Sequence, residues 1–197
     1  MSQRGQAHVT DRRVQKTQGL LREALHSLIA EKPYDAIVVK EILDRANVGR
    51  STFYTHFRDK DELLVSSIYE MVHSVRATAP LRSGPWYEKV VWFSLPIFEY
   101  HQRHRSNGNT GMGVRGRTVL HDHLRRTLSQ MAGDAIAAEP RRSRKAARSI
   151  APDLLAGYVA STFVLVFSWW LESKKPLSPK EIDELFRTLV LPTLTAS

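Results

Sequence analysis

Cysteine is absent from the 197 residues. That excludes a disulfide framework, a thiolate zinc site, an iron–sulfur cluster and a cysteine nucleophile together, and it fits a reducing compartment, the cytoplasm. Strand-like alternation of apolar and polar residues is missing too, and no segment repeats, so the expected class is all-α. No apolar stretch follows the polar opening Met1–Gln6, so no secretory signal is expected. Acidic residues are the minority, 20 against 29 Lys and Arg, for a formal charge of +9. An excess of that size suits a polyanionic partner such as nucleic acid, an anionic membrane or an acidic substrate. Its distribution weakens the inference, because residues 101–150 hold 11 basic and 3 acidic side chains whereas 1–60 hold 11 and 7. What the chain does have is 42% apolar composition, enough to bury a core in one domain or two small ones.

Residues 1–11 are polar and without apolar periodicity, and are expected to form a flexible arm. Leu20, Leu21, Ala24, Leu25, Leu28 and Ile29 then fall on one stripe of a helix that Pro33 ends. Two short apolar-spaced segments follow, Val39–Ala46 and Arg50–Phe57, separated by the breaker Asn47-Val48-Gly49. A longer helix is expected from Lys60 to about Ala79, with Asp59 as N-cap and Glu62 completing a capping box. Trp86–His104 continues as helix with Pro96 as a kink. The glycines at 108, 111, 113 and 116 make Arg105–Arg117 a loop or a poorly formed helix. Helical spacing returns from Leu120 to Ile136, then over Pro152–Ser173, and finally after Ser178, where Ser178 caps and Pro179 takes the first helical position. That makes about nine helices in all.

Function is legible in the segment Val38–Phe57, which reads as helix–turn–helix. Ile42, Ala46, Val48, Phe53 and Phe57 can form a small core that fixes the angle between the two helices. Arg50, Ser51, Thr52, Tyr54, Thr55 and His56 are left less buried. Hydroxyls and cations of this kind bond phosphate oxygens, and Arg, Ser and Thr also reach base edges in the major groove.

The run from Ala46 to Leu63, with its Thr-aromatic-Tyr helix and Phe57-x-x-Lys60-x-x-Leu63 spacing, resembles the signature of the tetracycline-repressor (TetR) family. The resemblance covers about Val14 to Leu64, and beyond it only the helix pattern and length agree. It implies a homodimeric repressor that binds a palindromic double-stranded DNA operator and is released by a small-molecule effector. The DNA-binding part would be residues 1–62 and the effector-binding and dimerisation domain 63–197. Carried over by position, Lys40 enters the groove or touches phosphate, and Arg50, Ser51, Thr52 and Thr55 face the bases. Tyr54, His56 and Lys60 match phosphate contacts, Lys60 being helped by the helix N-terminus beside it. Two positions depart from the pattern: Val38 replaces a phosphate-bonding Thr, and Gly49 replaces a Ser that would cap the second helix.

Other signals point elsewhere. Leu154–Leu171 is 18 residues without a charge, long enough to consider a membrane span, but its Ser, Thr, Tyr and Gly residues favour a helix buried on nearly all sides. The resemblance implies that 152–173 and 178–191 form the dimer interface, with no membrane partner. Gly111-Met112-Gly113-Val114-Arg115-Gly116 matches GxGxxG but lacks the preceding strand that a dinucleotide fold requires. His101/His104 and His121/His123 have few carboxylates nearby and are expected to be ordinary helix histidines, so no metal, cofactor or catalytic group is assigned. The expected effector pocket has Trp92, Phe93, Phe98, Tyr100, Phe163 and Phe167 as candidate lining. The basic cluster Arg141–Arg148 is expected to be solvated. A different class of answer remains open at this stage: a helical enzyme or membrane-associated protein with a coincidental helix–turn–helix.

Overall fold

The computed structural model describes residues 3–78, 84–104, 112–140, 150–173 and 177–195. Nine α-helices lie among them: α1 Gln3–Glu31, α2 Val39–Ala46, α3 Arg50–His56, α4 Lys60–Thr78, α5 Trp86–Val90, α6 Ser94–His104, α7 Gly113–Ala138, α8 Pro152–Glu172 and α9 Pro179–Thr195. A single 3-10 turn, Tyr34–Ala36, joins α1 to α2, and the described residues contain no strand. The basic cluster at 141–149 lies outside the described residues.

Four expectations are corrected. The arm over 1–11 is helical from Gln3 onward, because nothing between it and the packed part of α1 stops a helix from propagating back. Pro96 does not kink one long helix. It sits in the first turn of α6, where it needs no hydrogen bond, and the chain breaks at 91–93 because its ring excludes the carbonyl four residues earlier. Gly113–Arg117, expected as loop or poor helix, is the start of the 26-residue α7. Helix α8 is buried over 50% of its most apolar window rather than on nearly all sides. By length and a mean hydropathy of 1.7, α8 is apolar enough to cross a membrane.

The chain divides into two compact units. The first is Met1–Ile68 with Ser106–Leu120, the second Tyr69–Arg105 with His121–Ser197. The first unit thus ends six residues beyond the expected boundary at 62 and takes in the first turns of α7. Its core is Leu21, Leu25 and Leu28 of α1, Ile37, Ile42 of α2, Phe53 of α3 and Leu63 of α4, all buried.

The start of α7 is fastened into this unit by polar contacts. Asp35 accepts hydrogen bonds from the backbone N–H groups of Arg115 (3.2 Å) and Gly116 (3.1 Å), capping α7 from 80 residues away in sequence. Gly116 lies so close to Tyr34 that a Cβ there would stand 2.8 Å from the ring. Gly113 adopts φ +66, where a side chain is strained, and it too faces Asp35. Close packing accounts for these two glycines of the GxGxxG match, and no strand precedes them among the described residues.

In the second unit α9 packs against α5, α6 and α8. Phe93, Phe98, Phe163 and Phe186 are fully buried, and Phe98 meets Phe163 with ring centroids 4.9 Å apart. Beside them Asp183 accepts a hydrogen bond from the Ser94 hydroxyl and pairs with Arg187 at 2.7 Å, which reaches on to Glu88 at 2.6 Å. Every charge in this buried network is met by an opposite charge or a donor, as a low-dielectric site demands. At the start of α9 the expected cap is present: Ser178 Oγ accepts from the Glu181 N–H at 3.4 Å, and the Glu181 carboxylate accepts from the Ser178 N–H at 2.8 Å.

Candidate nucleic-acid interface

The turn between α2 and α3 fixes the geometry of the helix–turn–helix. Asn47 takes the left-handed conformation (φ 51) and ends α2, while the Val48 N–H donates to the Leu43 carbonyl at 3.1 Å. Gly49 has φ −66, so it is Asn47 that supplies the unusual backbone and not the glycine. Gly49 N-caps α3 without a side-chain hydrogen bond, as its lack of a hydroxyl requires. Val38 stands 55% exposed at the head of α2, with no hydroxyl to offer phosphate.

Helix α3 buries one residue, Phe53, in the core. Arg50, Ser51, Thr52, Tyr54 and Thr55 are all exposed and His56 is half-buried, so almost the whole helix faces outward. Tyr54 packs edge-on to Phe53, and the Arg50 guanidinium lies 5.6 Å from the Tyr54 ring centroid. The Thr55 hydroxyl donates to the Ser51 carbonyl at 3.0 Å and keeps its lone pairs outward. Lys40, in the first turn of α2, is exposed. No carboxylate pairs with Lys40 or Arg50 among the described residues, and a surface left positive in this way attracts polyanions.

Four other cations of the first unit are neutralised. Arg45 forks onto Glu31 (2.7 and 2.8 Å), Lys32 pairs with Glu41, Arg58 with Glu62 and Arg115 with Asp61. Glu41 also accepts from the Val38 N–H at 3.0 Å, which closes the head of α2. Opposite charges hold the Glu31, Glu41 and Glu62 carboxyls below their ordinary range: for Glu31 the leading cause is the hydrogen bond from Arg45, for Glu41 that from Lys32, and for Glu62 the N–H and side chain of Arg58.

Lys60 is placed differently from the other sequence-derived candidates. Its ammonium donates to the carbonyls of Tyr34 (2.9 Å), Asp35 (3.3 Å) and Ile37 (2.7 Å) and lies 4.5 Å from the Tyr34 ring centroid. Three donors meet three carbonyls, so Lys60 closes the 3-10 turn and positions α4 with none left over for phosphate. Desolvation lowers its pKa. Asp59 does cap α4, accepting from the Glu62 N–H at 2.9 Å, but the Glu62 carboxylate turns to the Arg58 N–H at 2.7 Å and not back to Asp59.

Sequence reasoning missed the cluster around Tyr34. The phenol donates to Asp61, whose other oxygen receives Arg115 Nε and Nη2 at 2.9 and 2.6 Å. Burial, with the hydrogen bond to Asp61, pushes the Tyr34 hydroxyl well above its ordinary pKa. Burial works against the charge on Asp61, but the hydrogen bonds from Arg115 and Tyr34 outweigh it and hold that carboxyl below its ordinary value. The one trace in the sequence was the glycine spacing at 113 and 116.

Four of the six candidate pocket residues pack on one another. Phe93, Phe98, Phe163 and Phe167 pack ring on ring, Phe163 against Phe167 at 5.8 Å, Phe93 against Phe163 at 5.4 Å. Trp92 is half-buried in the turn before α6, and Tyr100 stacks on exposed His104 at 4.0 Å. His101 packs against the Phe167 and Trp170 rings, and His121 meets the Ser168 hydroxyl at 2.7 Å. Among the described residues no three potential ligands gather in a way that could hold a metal ion.

Known proteins share both parts of this arrangement. Residues 21–66 match the family described as bacterial regulatory proteins, tetR family, and residues 92–191 match a family described as transcriptional regulator C-terminal region. Over 76 residues, 38% of the chain, the sequence is 34% identical to an uncharacterized HTH-type transcriptional regulator, YxbF, of Bacillus subtilis (strain 168); the match spans 20% of that relative's length. The fold is similar to that of a TetR transcriptional regulator from Streptococcus agalactiae 2603V, with a TM-score of 0.53 at 21% identity over 93% of this chain and 98% of that one. With the helix–turn–helix, the outward α3 and both halves matched, the chain belongs to the TetR family of bacterial transcriptional regulators.

Proposed function

We propose that this protein is a cytoplasmic repressor that binds a palindromic duplex as a homodimer, reads base edges with α3 and releases DNA when a small molecule binds its second unit. The observation that carries the DNA reading is the outward α3: Arg50, Ser51, Thr52, Tyr54 and Thr55 stand in water around one buried anchor, Phe53. In this reading Arg50, Ser51, Thr52 and Thr55 contact bases, while Lys40, Tyr54 and His56 contact the backbone. Lys60 contributes by fixing the Tyr34–Ile37 turn. The protein acts by binding and needs no cofactor or catalytic group.

The dimer reading is supported by an apolar face left uncovered in the single chain. Leu154, Tyr158, Leu165 and Trp169 recur at helical spacing along α8 and are 36–67% exposed, and Leu185 and Leu189 of α9 are 39% and 48% exposed. The Tyr158 hydroxyl donates to the Leu189 carbonyl at 2.8 Å, which joins the two faces into one surface. A second copy covering it would bury the same residues twice around a two-fold axis, the symmetry of a palindromic site. The effector reading places the ligand within the second unit, beside the packed phenylalanines.

Selection of duplexes from a random library by the full-length protein tests the proposal. Enrichment of an inverted repeat, lost in an Arg50→Ala/Tyr54→Ala variant that still folds, supports it. No enrichment, or a protein that stays monomeric and partitions onto lipid vesicles through α8, refutes it.

A further inference from the structure

Helix α1 begins well before the core of its unit. Among the α1 side chains that the structure describes, Leu21 is the first buried one, and the nine positions before it, 12–20, are exposed or half-buried. They also precede residue 21, where the family match begins. Yet this stretch is not apart from the α3 face. A groove of about 410 Å³ lies between Arg13, Lys16 and Thr17 on one side and Asn47, Gly49 and Thr52 on the other.

Charge distinguishes this stretch further. Arg12, Arg13 and Lys16 are exposed, and none has a carboxylate or hydrogen-bonding side-chain partner among the described residues. In the same unit Lys32, Arg45, Arg58 and Arg115 are all paired with carboxylates. Among the described residues, Arg13 and Lys16 thus lack a carboxylate partner and border the turn and the start of α3, where a polyanion would lie.

We infer that α1 is a second DNA-contacting element, in which Arg13 and Lys16 grip backbone phosphates beside the bases that α3 reads. This rests on the DNA-binding function proposed above and adds the groove between α1 and the α3 start as a phosphate seat. Contacts of this kind hold the protein in register and add affinity without sequence preference. Each phosphate neutralised contributes about 0.9 to the slope of log affinity against log salt, so two in each protomer, four in the homodimer, contribute about 3.6, or roughly a 150-fold difference between 50 and 200 mM salt.

The test compares wild type, Arg13→Gln/Lys16→Gln and the control Arg125→Gln/Arg126→Gln, which removes the same charge from exposed positions on α7. Anisotropy titrations use a labelled duplex selected by the wild-type protein and a scrambled duplex of equal length, across a salt series. The inference expects the α1 variant to keep the wild-type melting curve, to lose about 3.6 of the salt slope on both duplexes, and to keep the ratio of specific to non-specific affinity. The control keeps the wild-type slope. Selective wild-type binding with an unchanged slope in the α1 variant, or an equal slope loss in the control, overturns the α1 contact and leaves the α3 reading standing. A wild-type protein that selects no duplex overturns both.

Discussion

Leu165 offers the sharpest test of the dimer, because its exposure makes opposite demands on fold and assembly. In the single chain it is 67% exposed, so Leu165→Glu removes little that holds the protomer together. A surface change of this sort shifts stability by no more than about 0.5 kcal/mol. In the proposed dimer the same side chain is covered. Full burial of a leucine is worth roughly 1.5–3 kcal/mol, so two thirds of it is about 1–2 per protomer and about 2–4 per dimer. That raises the dimer dissociation constant by about 30- to 900-fold, before counting the penalty for burying a carboxylate against apolar neighbours. Sedimentation velocity over a wide concentration series reads the association, and thermal unfolding in the monomeric range reads the fold. The expected result is a folded, mostly monomeric variant. A dimer of wild-type affinity would refute the interface, and a variant that fails to fold would mean that Leu165 supports its own protomer.

Three further outcomes follow from the first unit and the α3 face. Gly116→Val places a branched side chain against the fully buried Tyr34, and overpacking there is expected to cost about 1–3 kcal/mol, read as a lower melting temperature, whereas the same change at Gly19, a helical glycine of α1, meets no neighbour within 4 Å. Because the Asp61 carboxyl is held below its ordinary value of 3.8, its contribution to stability is complete above that pH and is lost as pH falls through the lowered folded value. Urea unfolding across the acid range should therefore show a loss of stability that Asp61→Asn reduces; an identical pH profile in the variant would contradict the role given to the Tyr34–Asp61–Arg115 cluster. Arg50→Ala should weaken binding to a selected duplex by about 1–3 kcal/mol and relax preference at one position in each half-site, as measured by titration of single-base variants.

Legibility in the sequence tracked the range of the interactions. Helix starts set by neighbours could be read directly, as with Ser178 and Glu181 or Asp59 and the Glu62 N–H, because both partners lie within one turn. So could the exposure of α3, since Phe53 and Phe57 are the only large apolar side chains of that segment without a polar tip. Contacts between distant parts were hidden. Asp35 caps a helix 80 residues later, and Lys60 spends its donors on a turn more than 20 residues earlier, so position in a motif gave it a role that its surroundings change. Aromatic residues on α6 and α8 look alike whether they line a cavity or fill a core, and only packing shows that Phe98 meets Phe163 while Tyr100 turns to His104. The uncharged run of α8 likewise could not reveal which half faces outward until Leu165 and Trp169 were placed.

Hydroxyl-radical footprinting of the full-length protein on a selected duplex addresses the central claim most directly. Two α3 helices related by a two-fold axis should protect two patches on one face of the DNA, symmetric about the centre of the site and about 10 base pairs or a whole multiple of a turn apart. Methylation of guanine N7 within each patch should interfere with binding. A single patch, or protection spread evenly along the duplex without base interference, would contradict the account.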